Sequence, residues 1–179
     1  MSNRLFLPPY ESLKEHEGKG NFAIKKYYQF PFSLFYRHKL KMILSLMDSR
    51  YRSILDFGSG PGIFLPTLRK RSDVVVGFEK GDKFDPRWSF SLVICASVLE
   101  FCDLTPTIGF IRILMSKKGE LIIASPMDTW ISRLYFKLIN DKNVRHPHNK
   151  ILEELNRWYV VELYKEWFGL YFVCKARLK

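Results

Sequence analysis

The sequence predicts an α/β fold: a three-layer sandwich built on a mainly parallel sheet, with an antiparallel hairpin at the C-terminus. Three observations carry this prediction. Apolar strand-like runs alternate with stretches of helical spacing between residues 53 and 139, a pattern typical of a sheet covered by helices. A glycine-rich turn over 58–62 follows the first of these runs. Two alternating segments flank Gly169 and predict the closing hairpin.

Spacing and breaker residues justify each element of the first half in turn. Apolar residues recur at helical intervals over 33–47, which predicts a helix ahead of the first strand. Short apolar runs predict a strand over about 52–57 and a second over about 73–79. The helix between them, about 61–71, carries Pro66 near its start. We therefore expect this helix to bend or to begin late.

The second half continues with a strand over about 90–96 and a helix capped by Asp103 or Thr105. Pro106 fits the first turn of that helix, and Gly119 is expected past its end. The remaining elements are a strand, an aromatic amphipathic helix, a shorter helix and the two hairpin strands: 120–125, 130–139, 148–157, 158–167 and 170–179.

The glycine-rich turn is the most informative feature for function. An apolar strand leads into Asp56 and then into Gly-Ser-Gly-Pro-Gly over 58–62, just ahead of a helix-like stretch. Glycine is needed where the backbone turns tightly or approaches a ligand closely. Glu79 ends the second strand about twenty residues later, where an acid can accept both hydroxyls of an adenosine ribose. Together these features predict a nucleoside-cofactor site.

Four segments follow one another in a recognisable order: 56–62 (Asp-Phe-Gly-Ser-Gly-Pro-Gly), 76–79 (Val-Gly-Phe-Glu), 89–101 with its Val-Leu-Glu, and 113–123. The set resembles class I S-adenosylmethionine-dependent methyltransferases, whose first motif is Asp-x-Gly-x-Gly-x-Gly, over about residues 50–125. The resemblance implies a Rossmann-like sheet, S-adenosylmethionine as cofactor, and methyl transfer to oxygen, nitrogen or carbon of a small or lipid-like acceptor. A dinucleotide site fits less well, because the glycines lack the two-residue gap of that fingerprint.

The resemblance also implies the cofactor-binding residues. Backbone groups of the glycine turn approach the cofactor, Asp56 holds its ammonium group directly or through water, and Glu79 holds its ribose. The full set of expected cofactor-binding residues is Asp56, Gly58, Ser59, Gly60, Gly62, Glu79, Asp82 and Ala96.

One departure from the family lies between Glu79 and Phe90, which are separated by ten residues. In the family this connection makes a helix, a third strand and an acidic turn beside the adenine, and ten residues are too few for them. We predict that the third strand and its helix are absent and that strand 73–79 lies at the sheet edge. A second copy of the chain could then cover that edge in a homodimer.

The shortened connection leaves the adenine subsite open to several residues. Asp82 or Asp85 are candidates to accept from the adenine amino group. Candidates to stack on the base are Phe78, Phe84 and Trp88. A pocket that is open, and binds the cofactor weakly or not at all, is the alternative.

No catalytic dyad is visible, in keeping with methyl transfer, where in-line positioning supplies much of the acceleration. Weak candidates for contact with substrate or for general base are Ser97, His146 and His148. For each, an ordinary turn or cap role is at least as good an interpretation. Phe101 replaces the histidine that commonly follows Glu100 in the family. No metal site is predicted, because the two histidines have no cluster of carboxylates or cysteines beside them.

The segment 22–41 interleaves aromatic residues with lysines and arginine and contains no acid. Such a segment can stack on bases and pair phosphates, or rest on an anionic membrane surface. We favour a third interpretation, a lid whose aromatic face lines an apolar substrate pocket while its lysines face solvent. The aromatic helix 130–139 is expected to form the opposite wall.

Composition bounds the class of protein. The chain of 179 residues is 47% apolar and 16% aromatic, which predicts one folded domain over 21–179, with a lid or helical lead-in over 21–50 and an N-terminal arm over 1–20. No signal peptide or membrane span is apparent, and three cysteines without metal spacing read as reduced thiols, so we expect a cytoplasmic protein.

The formal net charge of +11 favours an anionic partner, nucleic acid or a membrane surface, although a lysine-rich proteome bias explains it equally well. Three functional interpretations follow: a small-molecule methyltransferase, which we prefer, a methyltransferase-like binding module without catalysis, and a nucleic-acid methyltransferase. Against the last, Ala-Ser-Val-Leu over 96–99 stands where base-amino methylases carry an Asn/Asp-Pro-Pro-Tyr motif.

Overall fold

The computed structural model describes residues 4–16, 24–83, 85, 87–138 and 145–179. Six strands form one sheet in the order β2-β1-β3-β4-β6-β5. The strands are β1 (Ser53–Phe57), β2 (Val74–Phe78), β3 (Phe90–Ala96), β4 (Met115–Pro126), β5 (Tyr159–Trp167) and β6 (Tyr171–Leu178). The α-helices are α1 (Phe32–Leu46), α2 (Leu65–Leu68), α3 (Leu104–Leu114), α4 (Trp130–Leu138) and α5 (His148–Trp158).

The strand pairing confirms the predicted fold class. Strand β1 pairs in parallel with β2 and β3, and β3 pairs in parallel with β4. Strand β6 runs antiparallel to both β4 and β5, which makes the C-terminal hairpin. Strand β2 lies at the sheet edge, as predicted, and the described part of the connection after it (79–83, 85 and 87–89) contains no helix or strand.

The sheet and the helices on its two faces make three layers, and an apolar cluster fills the space on each face of the sheet. Successive strand residues point to opposite faces, so Ile54 and Ile94 pack with α1 while Leu55 and Val93 pack on the other side. The second cluster takes in buried residues of α3 and α5: Ile108, Ile111, Leu114, Ile151 and Leu155. Burial of central strands on both faces explains their continuous apolar runs.

Strand β4 begins earlier than predicted. It starts at Met115, directly after α3, so Gly119 lies inside the strand and not in a turn before it. Met115 pairs with Phe90, and the register then shifts before Leu92. A Cβ on Gly119 would come 3.0 Å from the carbonyl oxygen of Phe90 and 2.9 Å from that of Ser116, so the backbone crowding at this irregularity requires glycine.

Two helix predictions need correction as well. The helix predicted over 61–71 is reduced to the four residues of α2, preceded by turns over 60–64, and Pro66 lies in its first turn. Thr105 lies inside α3, so the N-cap position falls to Asp103, whose side chain makes no capping hydrogen bond.

Part of the predicted N-terminal arm packs against the domain. Residues Tyr10–His16 form a 3₁₀ helix in which Leu13 is buried. The backbone N–H of Phe6 donates to Oγ1 of Thr67, and that hydroxyl donates back to the carbonyl of Phe6, both at 2.9 Å. The boundary at residue 20 stays a prediction, because residues 17–23 lie outside the described part.

Cys95 and Cys174 are buried, Cys102 is half-buried, and none of the three is in a disulfide. Among the described residues, no helix has both the length and the apolar character needed to span a bilayer.

Candidate functional site

A cavity of about 380 Å³ opens at the carboxyl ends of the parallel strands. It lies where the strand order reverses between β1 and β3, the switch point at which open α/β sheets bind ligands. Residues that end or follow β1, β2 and β3 line it, together with Pro126 of β4 and side chains of α1. The volume is within the range of small-molecule sites, roughly 300–1,000 Å³.

The glycine-rich loop forms part of the cavity wall. Gly58, Ser59 and Gly60 line the cavity, whereas Gly62, within the turns over 60–64, does not. The three glycines have φ values of 75°, 55° and 75°. A Cβ on Gly58 would come within 2.2 Å of Cγ2 of Val98. Glycine is therefore required at 58 both by its backbone conformation and by the close approach of the loop to the segment after β3.

Two carboxylates stand beside this loop. Asp56, at the end of β1, is 3% exposed. Burial, and then the charge of Glu79, raise the pKa of Asp56 to about 7. Glu79 is half-buried, and its Oε1 accepts a hydrogen bond from the backbone N–H of Gly60. The loop and the acid predicted from the sequence are thus brought together, with one oxygen of Glu79 holding the loop itself.

Lys39 places a buried cation in the same cavity. Its side chain reaches in from α1, the residue is 4% exposed, and its Nζ donates a hydrogen bond of 2.6 Å to Oγ of Ser97. Burial lowers the pKa of Lys39 to about 8, against the opposing effect of Glu100. The prediction that the lysines of this segment face solvent is wrong for Lys39, because it lies on the face of α1 that packs inward with Tyr36 and Leu40.

Ala96, the last residue of β3, and Ser97 after it line the cavity. Ser97 has a φ of 60°, a left-handed conformation that is uncommon outside glycine, and its N–H donates to the carbonyl of Ala124 at 2.7 Å. Its hydroxyl is turned toward Lys39. A role for Ser97 in contacting substrate or cofactor stays a prediction.

Glu100 is a second buried acid at the cavity wall, 2% exposed. Its Oε2 accepts a hydrogen bond of 3.1 Å from Ser125, whereas its Oε1 has no hydrogen-bond partner among the described residues. Burial raises the pKa of Glu100. Nearby, the Arg145 guanidinium lies 4.0 Å from the ring centre of Phe136 and 5.3 Å from that of Phe101.

Aromatic side chains cover the cavity, as the lid interpretation expects. Tyr27, Phe35 and Tyr36 line it from the N-terminal segment, and burial raises the pKa of Tyr27 well above its usual value. Phe22 lies outside the described residues. The opposite wall receives Phe136 from α4.

The prediction for the aromatic helix holds only in part. Trp130, Leu134 and Leu138 are 73%, 49% and 75% exposed. Ile131 and Tyr135 are half-buried, and the ring of Tyr135 stacks on that of Phe35. Part of the apolar surface of α4 therefore faces solvent, and Ile139 lies outside the described residues.

The residues proposed for the adenine subsite do not converge on the cavity. Asp82 is exposed, and its Oδ2 accepts a 2.7 Å hydrogen bond from the N–H of Glu79, so it caps the turn after β2. Asp85 pairs with Arg87 at 2.7 Å. A contact of Asp82 with the cofactor stays a prediction.

The candidate stacking residues are placed differently again. Phe78 packs in the core, its ring centre 5.5 Å from that of Phe57 and 6.0 Å from that of Phe110. Trp88 packs edge-on against Phe90 at 5.9 Å. Phe84 lies outside the described residues.

The two candidate histidines lie near the start of α5, and His146 lines a second cavity there. Nε2 of His146 donates to the carbonyl of Cys102 at 2.9 Å, and its backbone N–H donates to that of Glu100. Nδ1 of His148 accepts from the N–H of Asp128 at 3.0 Å. Neither side chain lines the switch-point cavity, so a base role for either stays a prediction.

Comparison with known proteins gives matches in structure alone. No model of a protein family matches the sequence, and no curated protein matches it at a significant level. The N-methyltransferase NodS from Bradyrhizobium japonicum WM9, solved with S-adenosyl-L-homocysteine, has a TM-score of 0.63 at 15% identity, with 94% of this chain and 97% of that chain covered.

Two further structures show the same likeness. Magnesium protoporphyrin IX methyltransferase (ChlM) from Synechocystis PCC 6803, with bound S-adenosylhomocysteine, has a TM-score of 0.58 at 14% identity and covers 95% of this chain and 94% of that chain. An S-adenosylmethionine-dependent methyltransferase from Mesorhizobium loti has a TM-score of 0.58 at 12% identity and covers 78% and 97%. At such identities the likeness establishes architecture, and this chain has the class I S-adenosylmethionine-dependent methyltransferase fold.

Proposed function

We propose that this protein binds S-adenosylmethionine in the switch-point cavity and transfers its methyl group to a small or lipid-like acceptor. The observation that carries the proposal is the meeting, in one cavity, of the glycine loop, Glu79 and two buried side chains of opposite charge, Asp56 and Lys39. Two proteins of the same fold, NodS and ChlM, were solved with S-adenosylhomocysteine bound, which supports this choice of ligand.

The buried charges fit the amino-acid end of that cofactor, which carries an ammonium and a carboxylate. Asp56 would hold the ammonium and Lys39 the carboxylate. Burial opposes the charged form of both residues: it raises the pKa of Asp56 to about 7 and lowers the pKa of Lys39 to about 8. A zwitterionic ligand that gives each residue a partner of opposite charge compensates this desolvation.

Glu79 would bind the ribose hydroxyls. A carboxylate has two oxygens and several acceptor positions, so Glu79 can keep its bond to the Gly60 N–H and still accept from a ribose. The same bond already holds the glycine loop beside the carboxylate that would bind the nucleoside.

When bound, the cofactor supplies a methyl group on a sulfonium, which needs no activation by a metal or a strong acid. The chain's own part is therefore to position the acceptor and keep water out. Tyr27, Phe35 and Tyr36, whose rings line the cavity, would exclude water from it.

Glu100 marks the acceptor end of the cavity. Its Oε1 is buried and has no hydrogen-bond partner among the described residues, so an N–H or O–H of the acceptor would complete its hydrogen bonding. Burial also raises its pKa, which suits a carboxylate that takes up the proton released when a nitrogen or oxygen is methylated. The rings of Phe101 and Phe136 give the same end an apolar surface for the acceptor's body.

Isothermal titration with S-adenosylmethionine and S-adenosylhomocysteine tests the cofactor assignment directly. We expect the wild-type chain to bind and Glu79→Ala to bind about 10- to 150-fold more weakly, since charge-assisted hydrogen bonds of about 1.5–3 kcal/mol are lost. The matched control is Glu153→Ala, an exposed glutamate on α5 whose removal should leave the affinity unchanged.

The titration tests binding, and an assay of methyl transfer then separates an enzyme from a non-catalytic binding module. If the wild type fails to bind either ligand, the shortened 80–89 connection has removed the nucleoside pocket, and the proposal is abandoned. If Glu79→Ala binds as tightly as the wild type, the ribose assignment is wrong. Binding without transfer of a labelled methyl to any extract of small molecules or lipids would favour the binding module.

A further inference from the structure

Helices α1 and α4 and the turn of the β5–β6 hairpin expose large apolar side chains on the outside of the cavity. We call this surface the α1–α4 face. Its apolar members, with exposures between 49% and 79%, are Phe30, Leu34, Trp130, Leu134, Leu138 and Phe168. Single exposed apolar residues are ordinary, but a group of this size on neighbouring segments marks an interaction surface.

Contacts beneath the surface show that the three segments adjoin. Phe35 of α1 stacks on Tyr135 of α4 with ring centres 4.5 Å apart. Phe35 also lies 6.0 Å from Trp167, the residue beside Phe168. At the other end of α4, the Thr129 hydroxyl donates 2.6 Å to the carbonyl of Gly169 in the hairpin turn. The three segments that carry the exposed apolar side chains are therefore neighbours in the fold.

The charged side chains of the two helices have one sign. Neither α1 nor α4 contains an aspartate or glutamate. Their exposed polar positions include four cations. Arg37 and Lys41 lie three and seven residues after Leu34, Arg133 lies three residues after Trp130, and Lys137 lies three residues after Leu134. Asp128, just before α4, pairs with Arg133 at 2.8 Å and offsets one of these cations.

Alternating apolar and cationic positions on two adjoining helices match the headgroup region of an anionic bilayer, where apolar side chains enter the acyl boundary and cations meet lipid phosphates. Leu134 and Leu138 would contribute nothing to binding nucleic acid, whose bases are stacked on by aromatic rings and whose phosphates are paired by cations. A second copy docked face to face about a two-fold axis would oppose like charges. The chemistry of the face therefore favours lipid over either alternative.

We propose that the α1–α4 face docks this protein on an anionic lipid surface. The inner sides of the same helices line the cavity through Tyr36, Lys39 and Phe136, so docking brings the cavity close to the lipid. The docking itself is independent of methyl transfer and can be tested without cofactor.

Vesicle flotation of the purified chain tests the proposal, with phosphatidylcholine vesicles compared with mixed phosphatidylcholine–phosphatidylglycerol vesicles. We expect binding to the mixed vesicles and at least about tenfold less to phosphatidylcholine alone. The double variant Leu134→Asp with Leu138→Asp should lose at least about tenfold in binding to the mixed vesicles. Ile113→Asp is the matched control, since Ile113 is 68% exposed on α3, in the opposite layer, and should bind as the wild type does.

A charge-reversal double variant, Lys41→Glu with Lys137→Glu, tests the attraction between the cations of the face and the lipid phosphates. It keeps every apolar side chain. It should abolish the preference for phosphatidylglycerol, while circular dichroism shows an unchanged fold.

Three outcomes would overturn the proposal. These are absence of wild-type flotation with either vesicle, equal flotation with both, or loss of flotation by Ile113→Asp to the extent seen for the double variant. Salt-sensitive RNA binding in the absence of vesicle binding would assign the face to nucleic acid. A dimer in sedimentation velocity that only the Leu134/Leu138 variant dissolves, again without vesicle binding, would assign it to a second copy.

Discussion

Two buried glutamates, Glu120 and Glu100, differ in how completely the fold satisfies them. Glu120 of β4 is 4% exposed and accepts from Lys175 at 2.8 Å, Arg177 at 2.5 Å and Tyr51 at 2.7 Å. Glu100 is 2% exposed and has a bond from Ser125 on one oxygen and no hydrogen-bond partner among the described residues on the other.

Their pKa values move in opposite directions for this reason. Burial alone would raise the pKa of Glu120, but hydrogen bonds from Lys175, Arg177 and Tyr51 hold it below the usual value. For Glu100 burial prevails and the pKa rises. A buried charge with a full set of partners belongs to the structure, whereas one with an incomplete set, at the carboxyl ends of parallel strands, indicates a ligand.

The largest effect we expect is on stability, from Glu120→Gln. The substitution leaves Lys175, whose side chain is 5% exposed, without its buried carboxylate. Breaking a buried pair in this way lowers the free energy of unfolding by about 3 kcal/mol, measured by urea denaturation.

Two further variants test whether the loss of stability comes from the unpaired charge of Lys175. Glu166→Gln, on the exposed side of β5, should stay within about 0.5 kcal/mol of the wild type. The double variant Glu120→Met with Lys175→Met should recover most of the loss, because both charges are removed together. If the Glu120→Gln protein is as stable as the wild type, the distinction between Glu120 as a structural charge and Glu100 as a ligand-binding one is wrong.

The second effect should fall on ligand affinity and leave stability nearly unchanged. Lys39→Met removes a buried cation that donates a hydrogen bond to Oγ of Ser97, and replaces it by an apolar side chain of similar length. We expect the free energy of unfolding to stay within about 1 kcal/mol or to rise. Affinity for S-adenosylhomocysteine should fall at least about tenfold, as for the loss of one charge-assisted bond.

Lys41→Met provides the control for Lys39→Met. Lys41 lies on the same helix, is exposed, and should change neither stability nor cofactor affinity. If Lys39→Met instead lowers the free energy of unfolding by about 3 kcal/mol, as expected for Glu120→Gln, and keeps its affinity for S-adenosylhomocysteine, the cavity cation is structural.

The parts of this site that the sequence predicts are local ones. A strand, the turn over 58–62 and Glu79 at the next strand's end are each defined by a few adjacent residues, and the sheet then brings them together. The hairpin and the edge position of β2 follow similarly, from alternation around Gly169 and from the short 80–89 connection.

The groups that sequence reasoning missed depend on long-range packing. Lys39 has a usable signal, since it lies three residues after Tyr36 and four before Ile43, both on the buried face of α1. Arg145 and the unpaired oxygen of Glu100 have no such signal, because each acquires its surroundings from distant segments. The exposure of Trp130, Leu134 and Leu138 on α4 was missed for another reason: periodicity identifies an apolar face and says nothing about what covers it.

The smallest effect, and the most diagnostic, is the pH dependence of S-adenosylhomocysteine affinity. Holding an ammonium requires ionised Asp56, whose pKa is raised to about 7, so affinity should fall as the pH drops below that value. Holding a carboxylate requires protonated Lys39, whose pKa is lowered to about 8, so affinity should fall again as the pH rises above it. Calorimetry across this range should show a maximum between the two values.

Each limb of that profile can be assigned by a variant. Asp56→Asn should remove the acid limb, and Glu79→Gln should move it to lower pH, because the charge of Glu79 contributes to raising the pKa of Asp56. The α-amino group of the ligand also titrates near ~8, so the basic limb has two possible origins. If the limb vanishes in Lys39→Met, the cavity cation is its source. If it survives unchanged, the ligand's own ammonium produces it, and Lys39 does not hold the carboxylate.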